Sequence, residues 1–219
     1  YSLFSRFRLV DDQHFGQVLR KIDDSMAESY FKKYRVVNAI RIYKEAGVPF
    51  RGKEASLKLD EVDRKILEIL LNQVKYVKTA RPISTVKLSR LMHLFSVEIS
   101  QPAVSKRLTS LEKSGVILRH TVNVDWVKLG LKTKLLVRIK VNPQMYDAVA
   151  REFSASLDEI TDLYRTGEEY GLLAVLRVPD VYEYNSFLLR LYDSKDVIDT
   201  YTTLVLEERK SAPLPLTRE

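Results

Sequence analysis

Three features of the sequence predict an α+β fold. Between residues 59 and 117 apolar residues recur at helical spacing in short, separately capped runs. From Lys134 onward the period falls to two, and apolar residues alternate with polar ones as in strands. These strand-like runs interleave with helical runs in the order β-α-β-β-α-β, the split arrangement of ferredoxin-like domains. The architecture expected is a winged helix-turn-helix domain (57–125) followed by a ferredoxin-like βαββαβ domain (130–210), preceded by a helical extension (1–55).

In the extension, Phe15, Val18, Leu19 and Ile22 fall on one helix face. Ser25-x-x-Glu28 has the capping-box pattern, and the helix it opens is expected to run to Ala46, with Gly47 as its stop. The apolar arc Met26, Tyr30, Tyr34, Val37 and Ile40 is too wide for a lone helical hairpin to bury. The segment therefore needs the rest of the chain or a second subunit to pack on. Arg51-Gly52-Lys53-Glu54-Ala55-Ser56 reads as a linker.

In the second segment, Asp60 is placed to cap a helix over 60–71 whose stripe is Val62, Ile66, Ile69 and Leu70. Residues 72–84 read as a loop. A second helix, Thr85 to about Phe95, turns Val86, Leu88, Leu91 and Met92 inward. Then comes Ser100-Gln101-Pro102-Ala103-Val104-Ser105-Lys106-Arg107-Leu108-x-x-Leu111-Glu112-x-x-Gly115-Val116-Ile117. Ser100 caps this helix, Gly115 stops it, and Val104, Leu108 and Leu111 form its core face. Lys106, Thr109, Ser110 and Lys113 are left on the opposite side. Residues 116–124 alternate as a strand pair, the wing. A short helix with one core stripe and a small, polar, basic outer face is what the DNA major groove accepts.

The candidate DNA contacts are Ser100, Gln101, Pro102, Ser105, Lys106, Arg107, Thr109 and Ser110, with Arg119 and His120 on the wing. The Gln101 amide can pair bidentately with adenine. Arg107 flanks the core stripe and suits a phosphate better than a base. Lys75, Lys78 and Arg81 in the loop could contact flanking DNA or simply be solvated, and Lys32, Lys33, Arg35, Arg41 and Lys44 upstream could meet DNA or serve packing and dimer support. The plainer alternative for the whole module is a solvated helix that mediates protein contacts.

In the third segment, Leu135, Val137, Ile139 and Val141 alternate with Lys134, Arg138 and Lys140. Asn142-Pro143 opens a helix with the stripe Tyr146, Val149, Ala150 and Phe153. Strands 160–166 and 172–178 follow, joined at Gly167-Glu168-Glu169-Tyr170-Gly171. Asp180-x-x-Glu183 caps a helix with core positions Tyr184, Phe187, Leu188 and Leu191, and Val197–Glu207 is the last strand. One sheet face is left for a second subunit to cover.

The net charge is +7 and unevenly spread. Residues 1–59 carry a surplus of +5, residues 60–125 one of +4, and residues 126–219 one of −2. The basic segments suit phosphate, and the acidic one should face away from it. There are no cysteines, which excludes disulfides, thiolate metal sites and cysteine nucleophiles and fits a cytoplasmic protein. No apolar run approaches bilayer-spanning length, so no membrane partner is expected. His14, His93 and His120 lie in different segments without metal spacing, and no Gly-rich phosphate loop or nucleophile motif is present. No metal, no cofactor and no enzymatic activity are expected.

With these motifs in this order, residues 57–210 resemble the Lrp/AsnC (leucine-responsive, or feast/famine) family of prokaryotic transcription regulators. The resemblance rests on Leu59-Asp60-x-x-Asp63-Arg64-x-Ile66-Leu67, on the recognition helix, on Gly167 before Leu172-Leu173, on Arg177-Val178-Pro179-Asp180, and on Val197-Ile198-x-Thr200-x-Thr202-x-x-Val205-Leu206. It implies a regulator of promoters that binds double-stranded DNA. It also implies homodimers built through the ferredoxin-like domain, assembled into tetramers or octamers, and an amino-acid-like effector bound between dimers. The effector residues it implies are Thr166, Gly167, Glu168, Tyr170, Gly171, Thr200 and Thr202. A rigid β-turn without ligand is the alternative there.

The chain departs from the family pattern in its longer 72–84 loop and in a longer turn at 93–99. Tyr170 also replaces the second acid of the loop motif, and residues 1–55 have no familiar counterpart. Two other functions stay open: an architectural, chromatin-like DNA-binding protein with weak sequence preference, and a ligand-binding oligomer without DNA function.

Overall fold

The computed structural model describes residues 3–7, 12–29, 33–49, 58–77, 81–118, 120 and 124–208. The chain divides into two compact units, 1–37 and 38–219. In the first, helix α1 spans Asp12–Ala27. Phe15, Val18, Leu19 and Ile22 form its half-buried stripe, between exposed Gln17, Arg20 and Lys21.

The second helix expected in the extension is absent among the described residues: 33–38 are non-helical and 39–45 form a strand. Ser25 lies inside α1, and its hydroxyl donates to the Lys21 carbonyl one turn back rather than capping a new helix. Tyr34 follows in non-helical chain and donates its hydroxyl to Asp23 at 2.8 Å. Tyr30 and the linker 51–56 lie outside the described residues.

The second unit opens with the rest of that correction. Strands β1 (Ala39–Glu45) and β2 (Val48–Pro49) form a hairpin, with Lys44 opposite Pro49 and Glu45 opposite Val48. Ala46 and Gly47 both have positive φ, 48° and 78°, the two-residue turn whose twist matches its strands. The glycine expected to end a helix is therefore a turn residue. Ile40, Ile42 and Tyr43 are strand formers, and pairing with a distant strand overrides their local helical spacing.

In the helical module that follows, helix α2 (Glu61–Leu71) starts at Asp60 with a complete capping box. The expected loop after it contains a short helix α3 (Gln73–Tyr76). Helix α4 (Thr85–Met92) ends sooner than expected, in a 3-10 turn at His93–Phe95 closed by left-handed Ser96. Helix α5 (Gln101–Lys113) begins at the Ser100 cap, and Gly115 at φ 76° ends it. Ile66, Leu67, Ile69, Leu88, Met92, Val104 and Leu111 make the core that holds these helices together. Val86, expected inside, is exposed. Among the described residues between Gly115 and Thr133 no strand is present, so the wing strands are not seen at 116–118, 120 or 124. Residues 119 and 121–123 lie outside the described set.

The remaining elements are β3 (Thr133–Val141), α6 (Tyr146–Ser156), β4 (Ile160–Thr166), β5 (Leu172–Val178), α7 (Val181–Asp193) and β6 (Val197–Val205). The sheet order is β2-β1-β4-β5-β3-β6, all antiparallel. Its last four strands are the ferredoxin-like unit expected from the sequence, and β1 extends it by pairing Ala39 with Thr166 and Ile42 with Tyr164. Leu135, Val137, Ile139 and Val141 face Phe153, Phe187 and Leu191 in the main core. The segment before the helical module thus supplies a strand to the sheet that follows the module. On the other sheet face, Leu136, Leu173, Val175 and Tyr164 are already 6–8% exposed in a single chain. Burial of these side chains does not by itself call for a second subunit.

Candidate nucleic-acid interface

Helix α5 carries the strongest candidate. Its core stripe holds Val104 and Leu111 at zero exposure. The residues opposite that stripe, Gln101, Pro102, Ser105, Lys106, Thr109, Ser110 and Lys113, line one shallow open trough along the helix. Pro102 in the first turn needs no backbone donor there. Ser100 is held as a cap, its hydroxyl accepting from the Ala103 N–H at 3.4 Å. Small hydroxyl side chains between two lysines leave room for the edges of bases and a charge for phosphate.

Arg107 is placed differently from the expectation. Its Nη1 donates to Asp60 Oδ2 at 2.6 Å and to Asp63 Oδ1 at 2.7 Å, clamping α5 against the start of α2. Asp63 has only 12% of its side chain exposed. The hydrogen bond from the Asp63 backbone N–H, with the Arg107 guanidinium beside it, holds the Asp60 carboxyl below the usual carboxylate range. The same carboxylates raise Arg107 further. Arg107 is a strut between helices, because helical position alone cannot reveal that two acids from another helix lie beside it.

Of the wing residues, His120 Nε2 lies 3.0 Å from Glu112 Oε1, and Arg119 lies outside the described residues. Lys75 sits 5.5 Å over the Tyr76 ring. Lys78 and Lys32 lie outside the described residues. Arg41 and Lys44 belong to the sheet. Arg41 pairs with Asp147 at 2.8 Å, and Lys44 is buried with its Nζ donating to the Leu157 carbonyl at α6's end.

Sequence reading misses one partner on this face. Gln101 Nε2 donates to Thr85 Oγ1, the first residue of α4, at 2.9 Å. Nothing in the spacing of the two residues signals that bond, since it depends on how two helices cross.

The second candidate region is the β4–β5 loop. Thr166 Oγ1 donates to the Tyr170 carbonyl at 3.0 Å, and Arg165 Nη1 donates to the Gly171 carbonyl at 2.8 Å. Arg165 also stacks 3.6 Å from the Tyr146 ring centroid. Glu169 reaches Lys140 on β3 at 2.6 Å, and the Tyr170 hydroxyl donates to Asp199 on β6. That bond pushes Tyr170 up and Asp199 down from their ordinary values. Thr200 meets the Tyr192 hydroxyl at 2.8 Å, and Thr202 meets that of Tyr184. The loop therefore reaches β6 through Tyr170 and Asp199, whereas Thr200 and Thr202 turn to Tyr192 and Tyr184 of α7, so the structure does not bring these two threonines together with the loop residues. Among the described residues no group of His, Asp and Glu could hold a metal ion, and no helix is long and apolar enough to cross a membrane.

These features agree with comparisons to known proteins. Residues 134–215 match the Lrp/AsnC ligand binding domain. The chain is 30% identical over 159 residues to the HTH-type transcriptional regulator FL11 of Pyrococcus horikoshii, covering 72% of this chain and 97% of that protein. It is 30% identical over 150 residues to the HTH-type transcriptional regulator LysM of Sulfurisphaera tokodaii, covering 68% of this chain and 95% of that one. Among solved structures, an AsnC family transcriptional regulator from Agrobacterium tumefaciens superposes with a TM-score of 0.60 at 25% identity, covering 72% of this chain and 97% of that one. The chain belongs to the Lrp/AsnC family and is a DNA-binding transcription regulator.

Proposed function

We propose that α5 enters the major groove of double-stranded DNA and that a homodimer presents two such helices to inverted half-sites about one helical turn apart or a multiple of it. The observation that carries this reading is the outer stripe Gln101, Pro102, Ser105, Lys106, Thr109, Ser110 and Lys113, mostly polar and basic, opposite a core stripe in which Val104 and Leu111 are fully buried and Leu108 half-buried. In it, Lys106 and Lys113 neutralise phosphate, while Gln101, Ser105, Thr109 and Ser110 meet base edges or phosphates. Arg107 holds the helix in place. The basic surplus of residues 1–125 supports attraction to DNA, and the acidic surplus of 126–219 supports turning the sheet domain away from it. Self-association is supported by Ile198, Tyr201 and Leu204, exposed apolar residues on edge strand β6. A regulator of this kind acts on chromosomal DNA in the cytoplasm and needs no catalytic residue.

DNA binding is assigned to residues 57–125. Dimerisation and response to an amino-acid-like effector are assigned to 130–210 together with β1 and β2. The effector end is the loop that reaches over β3 to β6, where an amino acid would compete with the Tyr170–Asp199 hydrogen bond.

The test is the salt dependence of DNA affinity for wild type, Lys106→Ala and Lys113→Ala. Each variant should bind every sequence more weakly, with a salt slope lower by about one. Wild-type affinity and slope in both variants would refute the assigned face.

A further inference from the structure

Placing α5 in the groove does not say which base its first residue reads. We propose that Thr85 is a positioning residue that fixes the Gln101 amide so that Gln101 reads adenine; this rests on α5 lying in the major groove. Gln101 is the first residue of α5, exposed, at one end of the trough. Thr85 is the first residue of α4 and half-buried. The 2.9 Å bond from Gln101 Nε2 to Thr85 Oγ1 links the beginnings of the two helices.

The chemistry follows from counting the amide's hydrogen bonds. The carboxamide has two N–H groups and one carbonyl oxygen that accepts. One N–H is taken by the Thr85 hydroxyl. On this proposal Thr85 takes the N–H that points away from Oε1, which leaves the other N–H and Oε1 on one free edge as a donor and an acceptor. Adenine presents the complement in the major groove, the N7 acceptor and the N6 amino donor. Guanine presents two acceptors, N7 and O6, and would set O6 against Oε1. Cytosine offers only its N4 donor, and thymine offers an acceptor and a methyl group. The threonine bond also holds in advance an exposed side chain that would otherwise lose rotamer freedom on binding. Thr85 itself need not touch DNA for this effect.

The experiment measures the affinity of the full chain for its selected duplex and the single-base variants of that duplex, at fixed salt. The position read by Gln101 is the one whose base preference Gln101→Ala flattens. Wild type should prefer adenine there by about tenfold. Thr85→Val and Thr85→Ala should lose most of that preference, with the salt slope unchanged, and Thr85→Ser should keep it. The Gln101→Ala, Thr85→Val double variant should be no worse than Gln101→Ala alone. Gln101→Glu, which has no N–H, should move the preference toward cytosine. Melting temperature establishes that each variant is folded, and having both Val and Ala at position 85 keeps the test decisive if one is not.

A wild-type preference for guanine at that position, or an undiminished adenine preference in a folded Thr85→Val or Thr85→Ala, would overturn the proposal. Failure of the underlying placement looks different. Gln101→Ala would then flatten no position, and Lys106→Ala would bind as wild type.

Discussion

Arg107 Nη1 lies 2.7 Å from Asp63 Oδ1, so a cation of α5 is tied to the first turn of α2. Asp63 is at the same time half of the capping box that starts α2. One carboxylate thus orders the first turn of α2 and fixes the tilt of α5. Arg107→Ala should lower stability by about 1–3 kcal/mol, the range for losing a charged hydrogen bond and leaving a largely covered carboxylate. Denaturant unfolding checks it, and a variant as stable as wild type would show the clamp to be a solvated surface pair.

The same clamp sets a pH dependence. The Asp63 N–H and Arg107 hold Asp60 below the ordinary carboxylate range. Its contribution is therefore present above about pH 4 and lost as pH falls through the lowered value. Once Asp60 is protonated, Arg107 loses that charged partner. The stability gap between wild type and Arg107→Ala should stay constant above about pH 5 and narrow only below about pH 4, measured by thermal melts on either side of that point. A gap that widens in acid would contradict the sign.

Strand β1 makes the segment before helices α2–α5 part of the sheet domain. Removing residues 1–49, which takes away β1 and β2, should lower the melting temperature of the sheet domain further than removing 1–37 does and expose apolar surface. Within β1, burial and the hydrogen bond to Asp147 push the Tyr43 hydroxyl up to about 12. A raised tyrosine contributes stability below its unfolded value of about 10 that is lost as pH climbs toward the folded one. Tyr43→Phe should remove that alkaline loss, and Tyr43→Ala should cost about 3–5 kcal/mol at neutral pH. Equal melting curves for the two truncations would refute the assignment.

Gly171 is needed for space. A Cβ there would sit 1.8 Å from Arg165 Nη1 and 2.6 Å from the Tyr146 ring. Arg165 can swing away, but the ring is packed beneath it, so Gly171→Ala should cost about 1–3 kcal/mol. It should also release the loop that carries Tyr170, read as faster amide exchange at 167–171. Unchanged exchange and stability would mean that the loop does not depend on the Arg165 stack.

What the sequence discloses divides along physical lines. The βαββαβ order, the Ser100, Asp60 and Asp180 caps and the stripe Tyr146, Val149, Ala150 and Phe153 are readable because period and capping are local. Residues 39–47 misread as helix because Gly47 serves a helix end and a hairpin turn equally well, and only the distant β4 edge decides between them. The outer stripe of α5 is legible by subtraction from its core face. The roles of Arg107 and Thr85 are not, because each depends on a partner from another helix that no spacing announces.

The most direct measurement is selection from a random duplex library by the purified full chain at about physiological salt, where screening removes weak charge contacts. The account predicts a pseudo-palindromic motif with a fixed half-site spacing, and loss of enrichment with the Lys106→Ala, Lys113→Ala double variant. Enrichment of long fragments without a motif, or a motif that the double variant selects as well as wild type does, would contradict it.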